Sequence, residues 1–310
     1  MNRAVLEQAG IEIADRAPLR DLTTFRLGGP CRACLTCRTP EQAALAVTEL
    51  HRTGEPQVFI GGGSNLLVAD AGLEAVVVRY TSAIAQIERA GGMLRVAAST
   101  ALDALAAYGV QQELAGLEFL SGIPGTVGGA IAGNAGAFGR SVAECLEQVA
   151  LMDHTGRTKD VPAADLECAY RRSRLQESGE IVLSAIFRLE PGARSELAAE
   201  RERILALRRE RHPDWKVTPT AGSFFRNVEP TSAAGARQAA GWFLERAGAK
   251  TMRVGGARIF EKHANIIVAE PGCTASDVAA LSRQMADAVQ RIFGITLQPE
   301  VRFLGEFIES

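Results

Sequence analysis

The chain has 310 residues, 47% of them hydrophobic, which suits two ordinary domains that each bury a core. Lysine and arginine number 34 against 36 aspartate and glutamate, a net charge of -2. No overall field therefore draws the protein to nucleic acid or to an anionic membrane, and neither is an expected partner.

The N-terminal MNRAVLEQAGIEIADRAPLRD has acids among its first residues and no continuous apolar run, so a cytoplasmic protein is expected. Gly28-Gly29-Pro30 then reads as a turn leading into CRACLTC. Cys31, Cys34 and Cys37 have the C-x2-C-x2-C spacing of some iron-sulfur ligand runs. A fourth thiolate would be needed at position 41, which is Glu41, and Cys145, Cys168 and Cys273 form no second pair. The better reading is a half-buried strand with Cys31, Ala33, Leu35 and Cys37 on one face and Arg32, Cys34 and Thr36 on the other. No metal centre and no disulfide is expected.

A helix follows over PEQAALAVTELHRTG, with Pro40 in its first turn, Ala44, Val47 and Leu50 at helical spacing and Gly54 ending it. PQVFI reads as a short apolar strand running into GGGSNLLVAD. Gly61 and Gly63 match the first two glycines of the dinucleotide pattern G-x-G-x-x-G, but Leu66 stands at the last position and no helix pattern follows. A plain dinucleotide fold is disfavoured, and the loop by itself is either a structural turn or a ligand loop. EAVVVRY and MLRVAAS read as two strands separated by a polar turn around Gly91-Gly92, and ALDALAAYGVQQELAG as a helix.

The stretch FLSGIPGTVGGAIAGNAGAFG, residues 119 to 139, carries no charge and repeats glycine at short intervals. Its length nearly suits a membrane span, but Pro124, Asn134 and the glycines leave few bulky apolar side chains for lipid, and no basic flank orients it. Glycines so dense weaken regular structure while letting backbone amides approach a ligand, and a phosphate-bearing cofactor is the natural candidate. Beyond it, VALMDHTGRTKDVP reads as a hairpin and EIVLSAIFRLEP as a strand. Between them AYRRSRL is either a solvated basic face or a guanidinium on a substrate anion.

Pro191-Gly192 breaks the pattern, and the domain boundary is expected there, with residues 1–192 forming one domain (core about 20–190) and 193–310 the other. SELAAERERILALRRERHPDW reads as an exposed helix. Ser223 lies in a polar loop beside two phenylalanines, and Lys250 and His263 are isolated polar handles. In TASDVAALSRQMADAVQRIFG, Val278, Leu281, Met285, Val289 and Ile292 form one apolar stripe, begun near Thr274 or Ser276 and stopped by Gly294. The closing strand LQPEVRFLG places Leu297, Val301 and Phe303 on one face and Glu300 with Arg302 on the other, so Glu300 is either solvated or an acid lining a cleft. The four histidines have no ligand spacing, and no P-loop lysine or G-x-S-x-G elbow occurs.

Eight motifs in order, TTFRLGGP (23–30), GGGSNLLV (61–68), EFLSGIPGTVGGAIAGNAGAFG (118–139), YRRS (170–173), AGSFFRN (221–227), GWFLERAGAK (241–250), GGARIFEKHAN (255–265) and PEVRFLG (299–305), resemble the UDP-N-acetylenolpyruvoylglucosamine reductase family over nearly the whole chain. The resemblance implies an α+β protein: an FAD-binding domain of the vanillyl-alcohol-oxidase or p-cresol-methylhydroxylase type, followed by a smaller α/β substrate-binding domain. It implies FAD as cofactor, NADPH as hydride-donating cosubstrate, and reduction of UDP-N-acetylglucosamine enolpyruvate to UDP-N-acetylmuramate by a monomer in peptidoglycan precursor synthesis. The short span from YRRS to AGSFF resembles the subtype lacking an inserted tyrosine loop. By the same resemblance, Gly61, Gly62, Gly63, Ser64, Asn65, Leu66, Pro124, Gly125, Thr126, Gly129, Asn134 and Gly136 bind the cofactor, and Tyr170, Asn227, Lys250 and His263 contact the substrate. Arg171 stabilises developing charge, Glu300 assists, and Ser223 donates the proton. Another FAD-dependent oxidase or dehydrogenase of this fold, and a non-catalytic nucleotide-binding protein, are the competing readings.

Overall fold

The cysteine-bearing strand spans Cys31–Cys37 in this computed structural model, which describes residues 1–230 and 238–307. Ala33, Leu35 and Cys37 enter the main core as their alternation predicts, but Cys34 is also only 3% exposed. The second face is covered at Cys34 alone, Arg32 staying exposed and Thr36 half-buried, so the half-buried reading is corrected only at that cysteine. A four-stranded sheet runs in the order Glu12–Asp15, Cys31–Cys37, Leu73–Tyr80, Gln57–Ile60. Its last two strands are parallel, Gln57 to Ile60 lying beside Val76 to Arg79. A parallel pair cannot be closed by a tight hairpin. The chain crosses between them through residues 61–72, and that crossover opens with the glycine loop.

Helix Pro40–Arg52 begins where expected because Thr39 caps it, Oγ1 accepting from Gln42 N at 3.3 Å. Its inward face is Ala43, Ala46, Val47 and Leu50. A second, antiparallel sheet has the order Thr158–Pro162, Leu146–Met152, Ile181–Arg188, Met93–Ala97, Ile87–Ala90. The two strands read on either side of Gly91-Gly92 thus belong to different sheets. The true hairpin partner of Met93–Ala97 is Ile87–Ala90, an edge strand with three exposed residues that carries too little apolar pattern to stand out in the sequence.

The uncharged stretch is broken into a 3-10 turn at Glu118–Leu120, a six-residue helix at Val127–Ala132 and a two-residue strand at Gly136–Ala137. No helix among the described residues is long and apolar enough to cross a membrane.

In the C-terminal part, Arg253–Val254, Ala257–Phe260 and His263–Ala269 form an antiparallel sheet, and helices Ala240–Arg246 and Ala275–Phe293 join its core. The long helix has a reciprocal cap at Thr274 and Asp277, and Gly294 ends it at φ +67. Val278, Leu281, Met285 and Val289 are buried, but Ile292 is 52% exposed. In this last turn Phe293 packs instead, edge-on to Phe243 with ring centroids 5.3 Å apart. The closing strand is only Arg302–Leu304 and pairs in parallel with Leu66–Val68. Leu297 and Val301 are buried, whereas Phe303 is 39% exposed, against Phe307 and Phe224.

The chain divides into two compact units that are not consecutive stretches: residues 1–17, 32–62 and 74–208 form one, and 18–31, 63–73 and 209 onward the other. The expected cut at 192 differs from this partition. Glu190–Pro191 pairs with Leu114–Ala115, and helix Arg194–Arg211 is tied to the first unit by Leu197, which packs on Gly192, and by Arg201, which donates to both carboxylate oxygens of Asp103 at 2.7 and 2.9 Å.

Candidate functional site

In the first unit the two glycine-rich segments meet. A Cβ on Gly62 would lie 2.9 Å from Gly125 Cα and 3.6 Å from Thr126 N, so only glycine lets the loops approach this closely. Thr126 caps the short helix, Oγ1 accepting from Gly129 N at 3.3 Å. Among the described residues, the amides of Gly62, Gly125 and Thr126 donate to no carbonyl or side chain. Backbone donors left in this way are nearly always satisfied by a partner. Clustered amides without side chains or charges fit the diphosphate of a dinucleotide cofactor. Ser121 Oγ, fully buried and likewise without a described partner, adds a polar group to the same stretch.

Asn134, at φ +41, fastens this stretch to the arginine motif: Nδ2 donates to Ala169 O at 2.8 Å while Oδ1 accepts from Ala143 N at 3.3 Å. Ala169 and Arg172 exchange backbone hydrogen bonds of 2.9 and 3.1 Å, closing a tight loop over Tyr170 and Arg171. Arg171 sits in that loop at φ +56. The left-handed region costs a side-chain-bearing residue of this size about 1–3 kcal/mol. Ser173 Oγ and Gln176 Nε2 both donate to Ala132 O, and Gln176 Nε2 also to Arg171 O, so the strained turn is held from both sides. Tyr170 lies with its ring centroid 5.7 Å from the Arg171 guanidinium carbon.

Sequence reasoning missed Arg208. Its side chain packs on Gly122, where a Cβ would come 2.9 Å from Arg208 Cδ, and its Nε is buried without a described partner. Burial, reinforced by the positive charge of Arg171, pushes the Arg208 guanidinium below its ordinary pKa, and Asp103 opposes the shift. Burial alone would raise Asp103, but hydrogen bonds from Arg201 and from Gly122 N hold its carboxyl below the usual range. An amphipathic reading of the exposed helix carries no signal for this, because Arg208 is one of many arginines there.

The second unit holds the rest. Asn65 reaches across the fold: Nδ2 donates to Glu300 O at 2.9 Å, and its own carbonyl accepts from Arg302 N at 3.0 Å. Leu66 continues into the strand paired with Arg302. Thr24, from a motif to which no site role was given, donates through Oγ1 to Thr220 O at 2.7 Å and through its amide to Gly63 O at 3.2 Å. Phe225 pairs with Pro299 and Glu300 N donates to Phe224 O at 2.8 Å, which sets Ser223 and Glu300 on neighbouring antiparallel segments. Ser223 itself bridges Ile266. Asn227 Oδ1 accepts from Ala240 N at 3.2 Å. Lys250 Nζ is exposed and donates to Glu245 at 2.6 Å. His263 Nδ1 accepts from Asn265 N at 3.2 Å, and its ring stands 5.5 Å from that of His212. Burial, with the charges of Lys250 and Arg211 adding, pushes His263 below its ordinary pKa, which keeps the imidazole neutral. Pro124 and Gly136 lie half-buried in the glycine stretch, Gly136 paired with Ser141, and Ser64 is half-buried in its loop.

The fold and these donors define an oxidoreductase of the flavin-binding class: residues 31–161 match the family model described as an FAD binding domain. Residues 212–304 match a second, described as the C-terminal domain of UDP-N-acetylenolpyruvoylglucosamine reductase. Curated proteins of that name are similar throughout, one from Gloeobacter violaceus with 37% identity over 92% of this chain and 93% of its own, and one from a Synechococcus with 38% over 97% and 96%. A crystal structure of the enzyme of that name from Thermus caldophilus superposes with a TM-score of 0.78 at 30% identity, covering 95% of this chain and 99% of that one. The chain belongs to the UDP-N-acetylenolpyruvoylglucosamine reductase family, and FAD is its cofactor.

Proposed function

We propose that this protein reduces UDP-N-acetylglucosamine enolpyruvate to UDP-N-acetylmuramate with NADPH, as a cytoplasmic monomer of the subtype without the inserted tyrosine loop. The observation that carries the reading is the fastening of Glu300 to both the cofactor loop and the serine segment, through Asn65 and Phe224.

FAD, held by the amides of Gly62, Gly125 and Thr126, would supply the hydride chemistry between NADPH and the vinyl β-carbon of the substrate. Negative charge then spreads from the α-carbon into the substrate carboxylate, where the Arg171 guanidinium stabilises it. Holding Arg171 in a strained turn preorganises that charge, since nothing must reorient as the transition state forms. Glu300 polarises or protonates the same carboxylate, and Ser223 gives its hydroxyl proton to the α-carbon. A serine without an activating base is a weak acid, so its effectiveness rests on a very basic carbon acceptor and on position. Asn227, Lys250 and neutral His263 contact the nucleotide sugar, Lys250 as a point charge for the diphosphate. Tyr170 borders the substrate beside Arg171.

The visible spectrum of the purified protein tests this. It should be yellow, bleach with NADPH and regain colour on addition of the enolpyruvyl sugar nucleotide. A colourless protein that takes up no FAD would favour a non-catalytic nucleotide binder, and turnover of an alcohol with oxygen but none of the enolpyruvyl compound would favour an oxidase. Light scattering of the eluting protein should give a mass near the 33.0 kDa of one chain, and a value near twice that would overturn the monomer.

A further inference from the structure

One cation in the first unit has no counterpart in the mechanism above. Arg79 ends the apolar run Ala75 to Val78, and its side chain is half-buried with Nε wholly shielded. Among the described residues its guanidinium donates no hydrogen bond and pairs with no carboxylate. A shielded guanidinium without an anion is costly, and proteins keep such charges paired.

Its position indicates the missing partner. Arg79 lies beside Ile60 in the parallel register, so the two side chains leave the sheet on one face, opposite to Val76, Val78 and Tyr80 in the main core. The residues directly after Ile60 are Gly61 and Gly62, and Gly62 is the residue whose amide, with those of Gly125 and Thr126, lacks a described acceptor. Both parallel strands end here, and ligands of parallel sheets collect at the carboxyl ends of the strands. An orphan cation and three orphan amides at one strand end have complementary demands: each needs an anionic oxygen.

We propose that Arg79 is a cofactor-binding residue that neutralises the diphosphate of FAD, completing with its charge what the glycine amides do with hydrogen bonds. The proposal rests on the flavin reading above. A charge-free glycine cradle offers hydrogen bonds but no counter-charge, and here the cation comes from the neighbouring strand. Guanidinium is suited to this, since it stays charged under burial and can offer two parallel N–H groups to phosphate oxygens.

The test compares wild type, Arg79→Met and Arg79→Lys, each as the flavin-loaded full chain. FAD dissociation is followed on dilution by the rise of free-flavin fluorescence, at several sodium chloride concentrations, and ADP is used as a competitor that carries the diphosphate without the flavin ring. Arg79→Met should weaken both FAD and ADP by about 10-fold or more, as expected when one member of a shielded charge pair is removed, and should flatten the salt dependence. Arg79→Lys should keep part of the affinity. The flavin absorption spectrum of each variant at saturating FAD should match wild type, because the contact is remote from the ring. An unchanged FAD dissociation constant in Arg79→Met overturns the proposal. So does weaker FAD binding with undiminished ADP binding, which would place the contact elsewhere on the cofactor, or a fall in melting temperature at a given FAD concentration larger than the measured loss of FAD affinity accounts for, which would make Arg79 a structural residue. Failure of the wild type itself to hold FAD would overturn the flavin reading instead.

Discussion

Ser223→Ala should leave bleaching of the flavin by NADPH at its wild-type rate while product formation from the enolpyruvyl sugar nucleotide falls by about 10² or more. The two halves of the reaction separate because only the second needs a proton at carbon. The serine lies between Ala221-Gly222 and the buried pair Phe224 and Phe225, with its backbone bridged to Ile266 and the next residue bonded to Glu300 N. Its location is thereby fixed by main-chain contacts that alanine preserves, so the substitution removes a hydroxyl and little else. Stopped-flow absorbance of the flavin, followed first with NADPH alone and then with substrate added to the reduced enzyme, resolves the two rates. Reoxidation by substrate at the wild-type rate would remove Ser223 from the mechanism. Ser223→Cys, which restores a donor of lower pKa at nearly the same place, should recover part of the lost rate.

Arg171→Ala should cost about 10²–10³ in the rate of substrate reduction, the range for loss of one preorganised donor to developing negative charge, and should likewise spare reduction by NADPH. Arg171→Lys should rescue only a fraction, since a compact ammonium cannot reproduce the planar fork. The left-handed backbone at this residue gives a control that is independent of chemistry. Arg171→Gly relieves the strain of φ +56 and should unfold no lower than wild type while being as inactive as the alanine variant. If flavin is lost on purification of these variants, Arg171 belongs to the cofactor site, and its placement on the substrate carboxylate is wrong.

The parts of the fold that follow from local rules were legible in the sequence. Helix Ala275–Phe293 starts at its threonine cap and stops at its left-handed glycine as expected, because caps and periodicity are properties of consecutive residues. The same holds for helix Pro40–Arg52, the hairpin of Leu146–Met152 with Thr158–Pro162, and strand Ile181–Arg188. Errors gathered where burial depends on what a distant segment covers. Ile292 and Phe303 fit their apolar stripes yet are exposed, and Cys34 falls on the polar side of its alternation yet is buried. The interrupted partition into two units was hidden for a related reason: residues 18–31 and 63–73 carry no composition change that marks them as belonging with the C-terminal part.

By itself the sequence supplied the groups on which the functional reading rests: an uncharged, glycine-rich stretch, a serine, a glutamate and an arginine motif. Only the tertiary structure decided which of these groups are tied together. Asn65 and Glu300 are 235 positions apart and meet in one hydrogen bond, Asn134 holds the turn that strains Arg171, and Arg79 comes beside Ile60, just before the glycine loop, through the register of two parallel strands. Periodicity and propensity act over a few neighbouring residues, whereas the partner of a buried polar group is set by where the chain returns after long excursions, and the demand that every buried donor and charge be satisfied is what makes those returns readable once the fold is known.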